Sequence, residues 1–133
     1  MRKIYNVLVL ILCLLILMVS CSGPQKSAEE ESVLNSLTRI QNGLESNITY
    51  DSFVGLLSEA KMEVDRLKGS PENNRCFVSA VEKCYASYEI ARKAWKQKLE
   101  TEDEKRKQDM EMTYSFSLSF ATLNIEKANN CYK

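Results

Sequence analysis

The stretch Lys96-Gln97-Lys98-Leu99-Glu100-Thr101-Glu102-Asp103-Glu104-Lys105-Arg106-Lys107-Gln108-Asp109 decides the fold. Upstream of it, Phe77, Val81, Cys84, Tyr88, Ala91 and Trp95 recur at spacings of four, three, four, three and four. That is the strongest helical period in the chain. Within the stretch Leu99 is the only large apolar residue and the rest is dominated by mixed charge, which reads as a solvated tip. Apolar residues resume at Met110, Tyr114, Leu118, Ala121, Ile125, Ala128 and Tyr132. Continuing the upstream register would instead put Lys98, Glu102, Lys105 and Asp109 on the buried face. The two stripes are out of phase, so a hairpin of two helices is expected over one rod from Pro71 to Asn130, although no Gly or Pro interrupts that span. Thr101 and Glu104 have the spacing of a capping box, which places the start of the last helix after Thr101.

Working back from the hairpin, the third helix is expected from about Pro71 to Leu99. Gly69 reads as the C-terminal cap of the helix before it, Ser70 as an N-cap and Pro71 as a first-turn proline. The second helix is expected to start near Thr49 or Tyr50 and to bury Phe53, Leu56, Leu57, Ala60, Val64 and Leu67. Gly55 within it costs about 1 kcal/mol relative to Ala and would suit a close helix crossing. The first helix opens on a capping box of Ser27 and Glu30, with Glu29, Glu30 and Glu31 complementing the helix dipole. Its stripe is Val33, Leu37, Ile40 and Leu44, widened by Leu34, and Asn42-Gly43 is the expected end with Gly43 as a left-handed cap. Asn47-Ile48-Thr49 has the form of a glycosylation sequon but reads as the turn into the second helix. The fold expected is all-α, an up-and-down bundle of about four helices, the last two forming a long antiparallel hairpin.

The N-terminus carries an address. Arg2 and Lys3 precede a run from Ile4 to Val19 that is apolar apart from Tyr5, Asn6 and Cys13, and Ser20, Ser22, Gly23 and Pro24 end it short of a spanning helix. Leu17-Met18-Val19-Ser20-Cys21 resembles the processing site of bacterial lipoprotein signals, with Met18 where family members usually carry Leu. The resemblance implies a signal peptide over 1–20 and acylation of the Cys21 thiol. Residues 21–27 would then be a lipidated tether and 28–133 the helical domain. It also implies attachment to the cell envelope, with Ser22 favouring the outer membrane in a Gram-negative cell. The alternatives are an ordinary export signal and a retained membrane anchor. Two or three acyl chains give durable membrane attachment where one is marginal.

An exported domain meets an oxidising compartment, where cysteines pair if geometry allows. Cys76 and Cys84 lie about 12 Å apart along one helix, beyond the roughly 7 Å a disulfide tolerates between Cα atoms. The midpoint of Cys76 and Cys131 falls at Asp103-Glu104, inside the charged tip, whereas that of Cys84 and Cys131 falls past Lys107. The expected bridge is therefore Cys76 to Cys131. Cys84, on the apolar stripe, is expected to be a buried free thiol, with a redox or intermolecular thiol as the alternative.

Composition narrows the function. The chain of 133 residues has 18 basic and 18 acidic side chains and no histidine. No single-sign field exists to steer nucleic acid, so none is expected as a partner. Without histidine there is no usual general base, no Ser-His-Asp or Cys-His arrangement and no imidazole ligand. Nor is there a GxGxxG, a P-loop or a CxxC. No enzyme activity, metal or cofactor is expected. The expected role is a membrane-anchored envelope lipoprotein that binds a protein partner through helical surface. Candidate contacts are Lys105, Arg106 and Lys107 at the tip and the aromatics Tyr85, Phe116 and Phe120, for which core packing is the weightier expectation. The alternatives are a carrier of an apolar small molecule or lipid, suggested by the Met and aromatic residues from Met110 to Phe120, and an accessory lipoprotein of a secretion or pilus system.

Overall fold

A computed structural model of the protein describes residues 25–133. The expected signal at 1–20 and the acylation site Cys21 lie outside the described residues. Four helices follow in order: α1 Ala28–Glu45, α2 Tyr50–Lys68, α3 Arg75–Glu100 and α4 Glu104–Asn130. They form an all-α up-and-down bundle in which α3 and α4 make a long antiparallel hairpin.

Each helix starts where a side chain can take over its unpaired N–H groups. Ser27 and Glu30 form a reciprocal capping box at α1, and Thr49 caps α2 through Ser52 N–H. Two caps differ from the sequence reading. α3 begins at Arg75 rather than Pro71, because Asn74 and not Ser70 is its N-cap, accepting from the N–H groups of Cys76 and Phe77. Tertiary partners decide this. The Glu30 carboxylate accepts the Asn74 N–H at 3.0 Å and the Asn74 amide donates to the Cys131 carbonyl at 3.2 Å. Likewise α4 is capped by Asp103, whose carboxylate accepts from Lys105 and Arg106 N–H, while Thr101 closes α3 in extended conformation. The connection is thus the three residues Thr101 to Asp103.

The glycines also depart from expectation. Gly43 lies inside α1, and the left-handed residue is Asn47, with φ of 56°. Ile48 N–H donates to the Gly43 carbonyl and Asn47 N–H to that of Leu44, the paired bonds of a Schellman ending. Gly43 serves close approach instead: a Cβ there would lie 3.0 Å from Ile48 Cδ1 and 3.3 Å from Leu56 Cδ1. Gly55 faces open space, so it supports no helix crossing. Gly69 does end α2, in right-handed rather than left-handed conformation.

The core is built from the predicted stripes. Leu37, Ile40, Phe53, Leu57, Leu67, Phe77, Val81 and Tyr88 are buried. Trp95 of α3 stacks on Phe53 at 5.7 Å and meets the edges of Tyr50 at 5.6 Å and Tyr114 at 5.5 Å. The aromatic stripe of α3 is therefore core, joining α2, α3 and α4. At the other end Cys76 and Cys131 form a disulfide, with Cα atoms 5.8 Å apart. α3 and α4 have 26 and 27 residues against 18 and 19 for α1 and α2. The difference of eight residues lets the charged tip stand about 12 Å beyond the body.

Candidate functional site

From Met112 to Ile125, between Glu111 and Glu126, α4 carries no charged side chain. Two apolar stripes run along this segment. One faces the bundle: Ser117, Ala121, Ile125 and Ala128 are buried, with Tyr114, Leu118 and Tyr132 packed against the core. Small residues at three of those four buried positions let α4 lie close on α3. The other stripe is Met112, Phe116, Phe120 and Leu123, at spacings of four, four and three, on the opposite side of the helix. These four are 58%, 68%, 55% and 58% exposed. Core packing, the expectation for Phe116 and Phe120, does not hold, because the small residues have taken the inner positions.

The polar residues between them leave this face apolar. Thr113, Ser117, Ser119 and Thr122 donate their hydroxyls to carbonyls four residues earlier, and the Asn124 amide donates to the Phe120 carbonyl. The four hydroxyl donors are spent within the helix. If each large side chain carries roughly 200 Å², the exposed stripe offers about 500 Å² of apolar surface. A patch of ~300–600 Å² is the largest that a typical monomer shows and is often functional.

The other candidate residues lie elsewhere. Lys105 and Arg106 are exposed at the tip, and Lys107 pairs with Glu104 at 2.6 Å. Successive residues on a helix point about 100° apart, so the three do not share one face. Tyr85 is half-buried against the core and its hydroxyl donates to Glu89 at 3.0 Å. Burial, followed by that carboxylate, pushes its pKa up to about 12. Cys84 is a buried free thiol, and burial pushes it up to about 12 as well. It is thus protonated and weakly nucleophilic.

The base of the bundle holds a polar cluster that the sequence did not announce. Glu30 is 3% exposed. Its carboxylate accepts from Ser27 N–H at 2.8 Å as well as from Asn74 N–H, joining the N-termini of α1 and α3. The buried Tyr132 hydroxyl adjoins it without reaching full hydrogen-bond geometry. Burial alone would raise the Glu30 pKa, but the Tyr132 hydroxyl and the Ser27 and Asn74 N–H groups outweigh it and hold the carboxyl below its usual value of 4.5. Burial and this carboxylate together raise the pKa of Tyr132. The Glu30 carboxylate ties the N-terminus of α1 to that of α3, so its role is structural.

Two depressions of mixed lining open to solvent, one of about 220 Å³ by Leu44, Trp95 and Tyr114 with Lys98 and Glu111, and one of about 190 Å³ by Leu44, Tyr88 and Leu118 with Gln41 and Glu45. Both are smaller than the ~300–1,000 Å³ of typical small-molecule sites. Among the described residues no cluster of three or more Cys, Asp or Glu is set to hold a metal ion, and no helix is long and apolar enough to cross a membrane. Comparison with protein families, with curated proteins and with solved structures finds no match for the chain.

Proposed function

We propose that the protein is a non-enzymatic lipoprotein of the cell envelope, held to a membrane through Cys21, whose helical domain binds a protein partner. One observation carries the binding part of this reading: the uncharged outer face of α4, with Met112, Phe116, Phe120 and Leu123 aligned and uncovered. Helical partners recognise such rows of anchors at i, i+4 and i+7 or i+8. The lipid part rests on the residues around Cys21. Of the tip residues Lys105, Arg106 and Lys107, Lys105 lies in line with the stripe and would sit at the rim of the contact, affecting its rate more than its strength.

The two parts separate experimentally. Intact protein from cells should carry acyl mass on Cys21 and partition into detergent, and Cys21→Ser should abolish both. With a photoreactive phenylalanine analogue at position 116, illumination of cells should join the chain to protein. An analogue at exposed Lys61 on α2 should not. Equal capture from both positions would remove the outer face of α4 from the proposal.

A further inference from the structure

We infer that the outer face of α4 pairs with the same face of a second copy of this chain, the two helices running antiparallel about a two-fold axis near residue 118. This deepens the function proposed above and rests on that reading of the face. Two-fold pairing sets residue i against residue j of the other copy when i and j are equally far from the centre and lie on the same side of the contact line. Phe116 and Phe120 satisfy this together, two residues either side of 118, so Phe116 meets the partner's Phe120 and the reverse. Met112 and Leu123 satisfy it within half a residue, so Met112 meets the partner's Leu123.

The charges bounding the stripe obey the same rule. Asp109 and Lys127 each lie nine residues from 118, and 18 residues is a whole number of helical turns, so both sit on one side of α4. The pairing therefore sets Asp109 against the partner's Lys127 twice over. Both residues are exposed, and among the described residues neither forms an ion pair within the chain. Further out, Lys105 comes opposite the partner's Asn130 within half a residue. Glu111 and Glu126, seven and eight residues from 118, lie off the stripe around the helix and so outside the contact. A parallel pairing in register would set Asp109 against Asp109 and Lys127 against Lys127.

Two stripes of about 500 Å² bury about 1,000 Å² in all, the size at which a specific but reversible interface begins. Lys26 Nζ donates to Asn129 Oδ1 at 2.6 Å, so the chain leading back to Cys21 leaves from the C-terminal end of α4. The antiparallel pair then carries its two tethers at opposite ends. With both in one leaflet, the paired helices lie along the membrane.

Two experiments on the full chain in detergent test this. Light scattering coupled to size exclusion should show a concentration-dependent dimer. Asp109→Lys should weaken it roughly ten-fold or more by placing like charges opposite at both rims, as should Lys127→Asp. Combining the two changes should restore it. Helical content by circular dichroism should be unchanged in all three, since both positions are exposed. A dimer indifferent to the single changes, or not rescued by the double, overturns the register. In cells, the photoreactive analogue at Phe116 should yield a product of twice the chain mass, joined near Phe120. A product with a different protein overturns self-pairing while leaving the proposed function standing. A product with lipid alone, or a monomer at all concentrations with no product, overturns both.

Discussion

Replacing Glu30 with alanine should be among the most damaging single changes to this fold, although Glu30 is a charged residue one turn into a helix. The carboxylate accepts two backbone N–H groups, those of Ser27 and Asn74, which have no helical carbonyl to turn to. A hydrogen bond to a charged acceptor contributes about 1.5–3 kcal/mol, and a buried donor left unmet costs about 1–3 kcal/mol. The two bonds are coupled through one side chain, so a net loss of about 2–4 kcal/mol is expected, an apparent melting shift on the order of 10 °C or more. Glu31→Ala is the matched control, because exposed Glu31 shares the first-turn dipole term of about 0.3–1 kcal/mol but bonds neither N–H. Urea unfolding followed by circular dichroism measures both. The pH dependence supplies a second reading. The folded pKa of Glu30 lies below its usual 4.5, so its stabilisation is complete above that value and declines as pH falls through the lower folded pKa. The stability gap between wild type and Glu30→Gln should therefore narrow as the solution is acidified below 4.5. If Glu30→Ala and Glu31→Ala unfold within about 0.5 kcal/mol of each other, the carboxylate does not join the helix ends as described.

Removing the disulfide by Cys76→Ser with Cys131→Ser should lower stability by about 2–4 kcal/mol, since the bond closes a separation of 55 residues, and the loss should appear equally on reduction of the native protein. Gly55→Ala should raise stability by about 0.5–1 kcal/mol, as a methyl group there meets nothing within 4 Å and α2 gains helix propensity; no gain on thermal unfolding would count against that open surface. Gly43→Val should do the reverse by about 1–3 kcal/mol, its added carbons forcing Ile48 and Leu56 apart. The Cys84 thiol should resist a maleimide at neutral pH in the folded protein and react only once urea unfolds it; labelling at the rate of an exposed thiol would refute its burial.

The hairpin was legible because its evidence lies in sequence order. A charged gap with an apolar register broken across it has no reading as one amphipathic rod, and the midpoint of Cys76 and Cys131 gave the same turn from separate residues. The caps were less legible for a physical reason. Ser70, Asn74, Thr101 and Asp103 are all good N-cap residues in isolation. What selects Asn74 is the carboxylate of Glu30, 44 positions away, and the carbonyl of Cys131, 57 away. Gly43 and Asn47 are both competent for a left-handed ending, and the choice follows from Ile48 folding back over the residue that lacks a Cβ. The second stripe of α4 is present in the sequence at helical spacing: Met112, Phe116 and Phe120 fall in the Met- and aromatic-rich run from Met110 to Phe120, and Leu123 lies beyond it. The signal that would have found it is the run of 14 residues without charge, too long for one buried face to require.

That run distinguishes α4 from the other helices. The solvent sides of α1, α2 and α3 are covered with charge, much of it paired: Arg39 with Glu59, Lys61 with Asp65, Arg66 with Glu63, Arg92 with Glu89. Their exposed apolar residues, Met62, Ile90 and Leu99, stand singly. On α4 the same side carries Phe, Met and Leu among Ser and Thr. Ser, Thr and Phe are weaker helix formers than the Lys and Glu that would suit a face meeting only water. The hydroxyls that bond back to the helix add a slight destabilisation of their own. The helix tolerates this because it is fastened at both ends, by the tip ion pair of Lys98 with Glu111 and the Trp95–Tyr114 contact, and by the disulfide at the base. Such fastening holds the outer face as a preorganised row, which lowers the ordering cost of any helix that docks on it. A face that weakens its own helix and gains nothing within the chain recovers that loss only when covered. Substituting Phe116 and Phe120 with Lys and Glu should accordingly leave the monomer at least as stable while removing its association.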